Sequence, residues 1–165
     1  MAKRGNNLQG FTLIEILVVI GLIAILAAVT IIAINPAQNF QDARNSERRS
    51  EVTQILNAIS QDIVAGASLS GYVDADDGDA FNATNAPCGT YGATDGWAVG
   101  DSTVTGDAEW DGETILAPTY LASIPEDPQD STAGGVSGYR MCAESATRLT
   151  LFAPLAEGTT VQVSR

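Results

Sequence analysis

The feature that most constrains this chain is an apolar run near its start, from Phe11 to Ile34. The only polar side chains in this run are those of Thr12, Glu15 and Thr30. At ~1.5 Å per residue a helix of this length reaches about 36 Å, which exceeds the ~30 Å hydrocarbon core of a bilayer. Length and composition therefore predict a transmembrane helix over residues 11–35, behind a short basic leader, residues 1–10.

Three interpretations compete for this N-terminus. A secretory signal peptide has a shorter apolar stretch and a small-residue cleavage site after it, which residues 33–36 do not provide. A plain signal anchor fits the length and the charge, but it leaves the acid Glu15 unexplained. An ionisable side chain at membrane depth costs at least a few kcal/mol, so it usually marks a function.

The third interpretation is a resemblance. The residues from Gly10 to Glu15, read as Gly-Phe-Thr-Leu-Ile-Glu ahead of an unbroken apolar stretch, resemble the prepilin processing site of type IV pilins and type II secretion pseudopilins. The resemblance implies that a membrane prepilin peptidase cleaves after Gly10 and methylates the new amino group of Phe11. It also implies that Glu15 pairs with the Phe11 amine of a neighbouring subunit during filament assembly.

The following segment, residues 36–66, is predicted to continue the helix with an amphipathic pattern. Its apolar residues recur at helical spacing on one face, namely Val52, Ile55, Leu56, Ile59 and Ile63. The charged residues are assigned to the other face, namely Arg44, Glu47, Arg48, Arg49, Glu51 and Asp62. Two interpretations of these charges stay open, a solvated face or a contact between neighbouring subunits.

Residues 67–165 are predicted to form an acidic extracytoplasmic head. This segment carries 15 acidic and three basic residues. Strand-like runs appear at residues 138–142, 148–152 and 160–163, with turn residues between them. A small sheet must bury one face, and the apolar stripe of the preceding helix is the expected cover. The predicted fold class is α+β and pilin-like: a long N-terminal helix, transmembrane in its first half, packed on a small antiparallel β-sheet head.

A second resemblance lies in the head. Residues 120–128 read Tyr-Leu-Ala-Ser-Ile-Pro-Glu-Asp-Pro and are similar to a segment of major pseudopilins and related pilins. Many major pseudopilins continue with Trp-Gly, whereas this chain continues with Gln129 and Asp130. That departure weakens the expectation of the calcium-binding loop that those proteins carry downstream.

The two cysteines, Cys88 and Cys142, are too few for a four-ligand zinc site. In an oxidising compartment a pair without other partners most simply forms a disulfide, and two buried free thiols are the alternative. Calcium is the only metal that the sequence suggests. Asp107, Glu109 and Asp111 occupy positions 1, 3 and 5 of an EF-hand-like start, but position 12 is Pro118, and a solvated acidic surface is the competing interpretation.

Composition excludes several function classes. Acids outnumber Lys plus Arg by 20 to 8, which argues against a nucleic-acid partner, and the chain has no His for a general base. Neither a nucleophile–base pair nor a complete metal shell is evident, so no enzymatic activity and no certain cofactor are expected.

The expected function is that of a structural subunit of a pilus-like filament, either a pilin or a major pseudopilin. A membrane-anchored extracellular binding module is the alternative. The expected partners are further copies of the chain, the inner-membrane prepilin peptidase and assembly machinery, and membrane lipid before assembly. The positive-inside bias is weak or reversed. The single-pass topology, with the head outside the cytoplasmic membrane, therefore rests on the processing motif and the cysteines. After assembly the chain is expected in a cell-surface or periplasm-spanning filament.

Overall fold

The structure is a computed structural model that describes residues 10–72, 78–100, 109–130 and 136–165. The chain forms two compact units, residues 1–40 and 41–165. Helix α1 (Leu13–Ile34) belongs to the first unit, and helix α2 (Pro36–Ala65) begins there and continues into the second.

Asn35 separates the two helices. It caps the end of α1 in a left-handed conformation, with φ 43°, and Pro36 then opens α2. Asn tolerates this conformation better than most residues, and Pro suits a first helical position because its missing N–H would be unpaired there anyway. The Asn35 carbonyl accepts hydrogen bonds from the N–H groups of Gln38 and Asn39. The helix α2 ends at Ala65, followed by Gly66 with φ 120°.

Within its described residues the second unit contains a five-stranded sheet in the order β2-β1-β3-β4-β5. Its elements are β1 (Trp97–Gly100), β2 (Glu109–Asp111), the short helix α3 (Gly112–Leu116), β3 (Val136–Ser145), β4 (Arg148–Ala153) and β5 (Val161–Ser164). A 3-10 turn (Leu69–Gly71) follows α2. Strands β1 and β2 are parallel, and the other three pairs are antiparallel.

The three strands expected from the sequence are present as β3, β4 and β5. Strands β1 and β2 were not predicted, and their parallel pairing makes the sheet mostly, not entirely, antiparallel. The reason is their length, because runs of four and three residues in a Gly- and Asp-rich segment show no usable alternation. Together with the long helix, the sheet gives the α+β, pilin-like arrangement that the sequence predicts.

The core of the second unit lies between α2 and the sheet. Of the five apolar residues predicted for the inner face of α2, Val52, Ile55, Leu56 and Ile59 are buried in this core. The assignment of Ile63 to that face was wrong, because Ile63 lies near the end of the helix and is 37% exposed. Opposite them the sheet contributes large aromatic and aliphatic side chains, including Trp97, Trp110, Tyr139, Met141 and Leu151. Burial of these surfaces is what holds α2 on the sheet, since each large apolar side chain contributes roughly 1.5–3 kcal/mol.

The predicted disulfide between Cys88 and Cys142 is present, with an S–S distance of 2.04 Å. It joins the loop before β1 to strand β3. Beside it the Ala143 N–H donates to the Ala86 carbonyl, and residues 87 and 143 form an isolated parallel bridge. The loop is therefore held against β3 by a covalent bond and by backbone hydrogen bonds.

Candidate functional site

The processing junction lies outside the helix. Gly10 and Phe11 precede the first helical residue, Leu13, and Phe11 is 81% exposed. A Cβ atom added at Gly10 would meet no atom within 4 Å. Because the chain itself leaves room for a larger residue here, a requirement for glycine would have to come from a protein that binds the junction. Residues 1–9 of the predicted leader lie outside the described residues.

Thr12 and Glu15 form a capping box at the start of α1. The Thr12 hydroxyl accepts a hydrogen bond from the Glu15 N–H at 3.3 Å, and the Glu15 carboxylate accepts one from the Thr12 N–H at 3.4 Å. This arrangement pairs two helix N–H groups that would otherwise lack partners, and it places an acid at the positive end of the helix dipole. The resemblance implies an assembly role for Glu15, and the cap is a separate feature that the Thr-x-x-Glu spacing signals.

Helix α1 presents apolar side chains in every direction. None of its residues is buried, and within the described residues the helical stretch Leu13–Ala65, which starts with α1, is the one long and apolar enough to cross a membrane. The third polar side chain of the run, Thr30, donates its hydroxyl to the Ala27 carbonyl at 2.9 Å. Thr12, Glu15 and Thr30 thus have partners within the chain, as an apolar surrounding requires. An apolar surface of this extent must be covered by lipid or by other protein.

Several charged residues of α2 pair with groups of the second unit and are not fully exposed to solvent. Arg48 is fully buried and donates to both carboxylate oxygens of Asp127, at 2.7 and 3.0 Å. It also donates to the side-chain oxygens of Gln129, at 2.6 Å, and Asn45, at 3.0 Å. The hydrogen bonds to Asp127 hold the pKa of Arg48 above its ordinary value, against the opposing effect of burial. The assignment of Arg48 to the outer face was therefore wrong.

Three further charges of α2 also have partners in the second unit. Arg44 donates from Nε to the Glu157 carboxylate at 2.7 Å, and Asp62 accepts a hydrogen bond from the Tyr72 hydroxyl at 2.9 Å. Glu51 accepts a hydrogen bond from the hydroxyl of buried Tyr139. Burial raises the pKa of Glu51, and the bond from Tyr139 opposes that shift only in part. Of the charges that the sequence analysis placed outside, only Glu47 and Arg49 are exposed.

The helical spacing alone predicts part of this arrangement, namely which residues share the inner face of α2. Arg48 lies four residues before Val52, and Arg44 lies four residues before Arg48, so all three share one face of α2. Charged side chains at these positions favour exposure to solvent. Asp127, the partner that allows Arg48 to be buried, is 79 residues away in the chain. In the sequence, Asp127 stands out only as part of the 120–128 segment.

The residues suggested for calcium are not assembled into a site by the described part of the chain. Asp107 and the side chain of Glu109 lie outside it. Asp111 caps α3, where its carboxylate accepts the Thr114 N–H at 2.9 Å. Among the described residues no group of three His, Cys, Asp or Glu side chains is arranged to hold a metal ion. Calcium binding stays a prediction.

Comparison with known proteins supports the N-terminal assignment. Residues 5–33 match the family described as the prokaryotic N-terminal methylation motif. No curated protein and no solved structure matches the chain. The matched range contains the Gly10–Phe11 junction, the capping box and most of α1. The chain therefore carries the prokaryotic N-terminal methylation motif that is typical of type IV pilins and pseudopilins.

Proposed function

We propose that the chain is the precursor of a structural subunit of a type IV pilus-like filament. Prepilin peptidase cleaves it after Gly10 and methylates the Phe11 amine, and the mature subunit assembles through α1. The observation that carries this proposal is the coincidence of the methylation motif, residues 5–33, with an exposed junction and an entirely exposed apolar helix. The motif is typical of structural proteins without catalytic activity.

In this proposal the exposed apolar surface of α1 is buried twice, first in lipid and then against other subunits. Before assembly lipid surrounds the helix, and the second unit lies outside the cytoplasmic membrane. After assembly the α1 helices of other copies replace the lipid. Because packed helices and lipid tails are similarly apolar, the exchange needs a further interaction to favour the filament.

Glu15 supplies that interaction. In the precursor its carboxylate is held by the capping box with Thr12. Cleavage turns the Phe11 amide into an amine, and the carboxylate of a subunit already in place pairs with the amine of an incoming one. Giving up a helix cap costs roughly 0.5–2 kcal/mol. That cost is small beside the several kcal/mol of burying an unpaired ion, so the charged pair outweighs the cap.

Electron microscopy of sheared surface material tests the proposal. Membranes of cells that express the chain and a prepilin peptidase are sheared, and the released fraction is stained and identified by mass spectrometry. The proposal expects thin filaments composed mainly of this chain. If the chain stays as separate molecules in the membrane, the membrane-anchored binding module becomes the better account.

Two roles of such a filament, secretion and adhesion, lead to different expectations. The similarity of residues 120–128 to major pseudopilins favours a secretion filament over an adhesive pilus. In the structure Asp127 of this segment binds Arg48, which ties the segment to α2. A secretion role predicts that deletion of the gene retains a secreted protein inside the cell, whereas a pilin role predicts loss of surface filaments with secretion intact.

A further inference from the structure

The loop of the second unit that precedes β1 contains a three-residue sequence with a chemical meaning of its own. Asn82, Ala83 and Thr84 form the Asn-x-Thr sequence that N-linked glycosylation requires. The chain has eight asparagines, and Asn82 is the one that is followed two positions later by Ser or Thr. Because so short a sequence also arises by chance, the surroundings of Asn82 decide whether it can carry a glycan.

The three residues lie in a turn, outside the helices and strands of the second unit. Ala83 and Thr84 are exposed and Asn82 is partly exposed. The residue before them, Phe81, is buried and packs edge-on against the ring of Trp97 with the ring centroids 5.2 Å apart. The buried ring anchors the loop and leaves the turn at the surface. A glycan is bulky and hydrated, so a surface turn of this kind is where it belongs.

The side-chain amide of Asn82 has a defined orientation. Its Oδ1 accepts the N–H groups of Thr84, at 2.7 Å, and Asn85, at 3.1 Å, and its Nδ2 donates to the Ala80 carbonyl at 2.8 Å. An amide nitrogen carries two hydrogens. Glycosylation replaces one of them, and the other can keep the bond to the Ala80 carbonyl. The folded turn is therefore compatible with a substituent on Nδ2.

The same loop contains evidence about the compartment. Cys88 follows Asn82 in this loop and is bonded to Cys142, and disulfides persist in the oxidising compartments outside the cytoplasm. N-linked glycans occur on surface loops of secreted proteins. The inference rests on one part of the proposed function, the position of the second unit outside the cytoplasmic membrane, and it does not require a filament.

We propose that Asn82 is an N-glycosylation site and that the donor is an oligosaccharide linked to a polyprenyl phosphate lipid. A membrane oligosaccharide transferase binds both substrates, with Thr84 supplying the hydroxyl of the acceptor sequence. Nδ2 of Asn82 attacks C1 of the first sugar, so that a C–N bond forms and the C1–O bond to the phosphate breaks. The lipid phosphate leaves with the electron pair, and a base of the transferase takes the proton that Nδ2 loses. No redox partner is required.

The test compares the wild-type chain with four variants, each purified from membranes of the cells that naturally produce it. Asn82→Asp keeps an oxygen acceptor for the turn and removes the nitrogen nucleophile. Thr84→Val removes the hydroxyl at similar size, and Thr84→Ser keeps it. Asn85→Gln is the matched control, because Asn85 lies in the same turn and its amide also donates to the Ala80 carbonyl, at 3.0 Å. Mass spectrometry of the intact chain and fragmentation of the peptide around Asn82 measure the modification. The N-terminal peptide is measured separately, since processing also changes the intact mass.

Wild type, Thr84→Ser and Asn85→Gln should carry an added mass equal to a whole number of sugar residues, attached at Asn82. Asn82→Asp and Thr84→Val should lose this mass completely. An unmodified Asn82 in wild type, or an added mass that persists in Asn82→Asp, would overturn the inference. Filaments whose Asn82 is unmodified would leave the proposed function intact, whereas a glycan at Asn82 without filaments would refute the filament function alone.

Discussion

Arg48 on α2 and Asp127 in the segment before β3 form a bidentate ion pair that is entirely buried. Each partner has further hydrogen bonds, because Arg48 also binds Asn45 and Gln129 while Asp127 also accepts the Gln129 N–H. Gln129 stands where many major pseudopilins continue with Trp. In this chain its side-chain oxygen accepts a hydrogen bond from Arg48. The pair fastens α2 to residues 120–128, the segment that resembles pseudopilins.

Breaking this pair on one side should destabilise the second unit strongly. Arg48→Ala leaves the Asp127 carboxylate buried without its partner, which costs roughly 3–5 kcal/mol of unfolding free energy. Denaturant unfolding of the full chain in detergent measures the change. The double variant Arg48→Met with Asp127→Leu removes both charges and should cost far less. If the single and double variants lose the same free energy of unfolding, the unpaired buried charge is not the cause of the destabilisation.

The disulfide between Cys88 and Cys142 should contribute about 4 kcal/mol to the stability of the second unit, from the loop that it closes in the unfolded chain. The double variant Cys88→Ala with Cys142→Ala should lose that amount in denaturant unfolding and should match the reduced wild-type protein. Thiol labelling of the denatured, unreduced protein is the independent check. Full labelling at both positions would mean that the cysteines are free thiols.

Glu51 should make the second unit less stable as the pH rises. Burial raises the pKa of Glu51 in the folded chain, so the folded state holds its proton more tightly than the unfolded state does. The contribution of Glu51 to the free energy of unfolding is fully present below the ordinary glutamate pKa, about 4.3. It is lost as the pH rises through the raised pKa of the folded state.

Unfolding free energies of wild type and Glu51→Gln, measured across this pH range, isolate the effect. The wild type should lose stability relative to Glu51→Gln as the pH rises, because the amide stays neutral and can still accept the Tyr139 hydroxyl. Asp42→Asn, an exposed acid on the same helix, is the control and should run parallel to wild type. A constant difference between Glu51→Gln and wild type would contradict the prediction.

Two substitutions at Glu15 separate its charge from its capping role. Glu15→Ala removes both, whereas Glu15→Gln keeps an acceptor for the Thr12 N–H and removes only the charge. If the carboxylate pairs with an amine in the filament, both variants should reach the membrane and be cleaved normally but give few filaments. Immunoblots of membrane and sheared fractions measure this. Normal yield from Glu15→Gln would assign Glu15 to helix capping alone.

The N-terminal features of the chain could be predicted from the sequence because their signals are local. The junction, the apolar run and the stripe from Val52 to Ile59 are each readable from residues within a few turns of one another. The burial of Arg48 could not be predicted in the same way, since its partner comes from a distant segment. Strands β1 and β2 escaped prediction because each is too short to show a pattern, and their neighbours in the sheet define them.

The intact mass of the chain recovered from sheared filaments decides whether the chain is a processed filament subunit. Filaments built from processed subunits should contain a chain that begins at Phe11, with one added methyl group and two hydrogens fewer for the disulfide. Gly10→Val should leave residues 1–10 attached and abolish the filaments, although the structure has room for a larger side chain at this position. A wild-type mass that still includes residues 1–10, or a sheared fraction without filaments of this chain, would contradict the account.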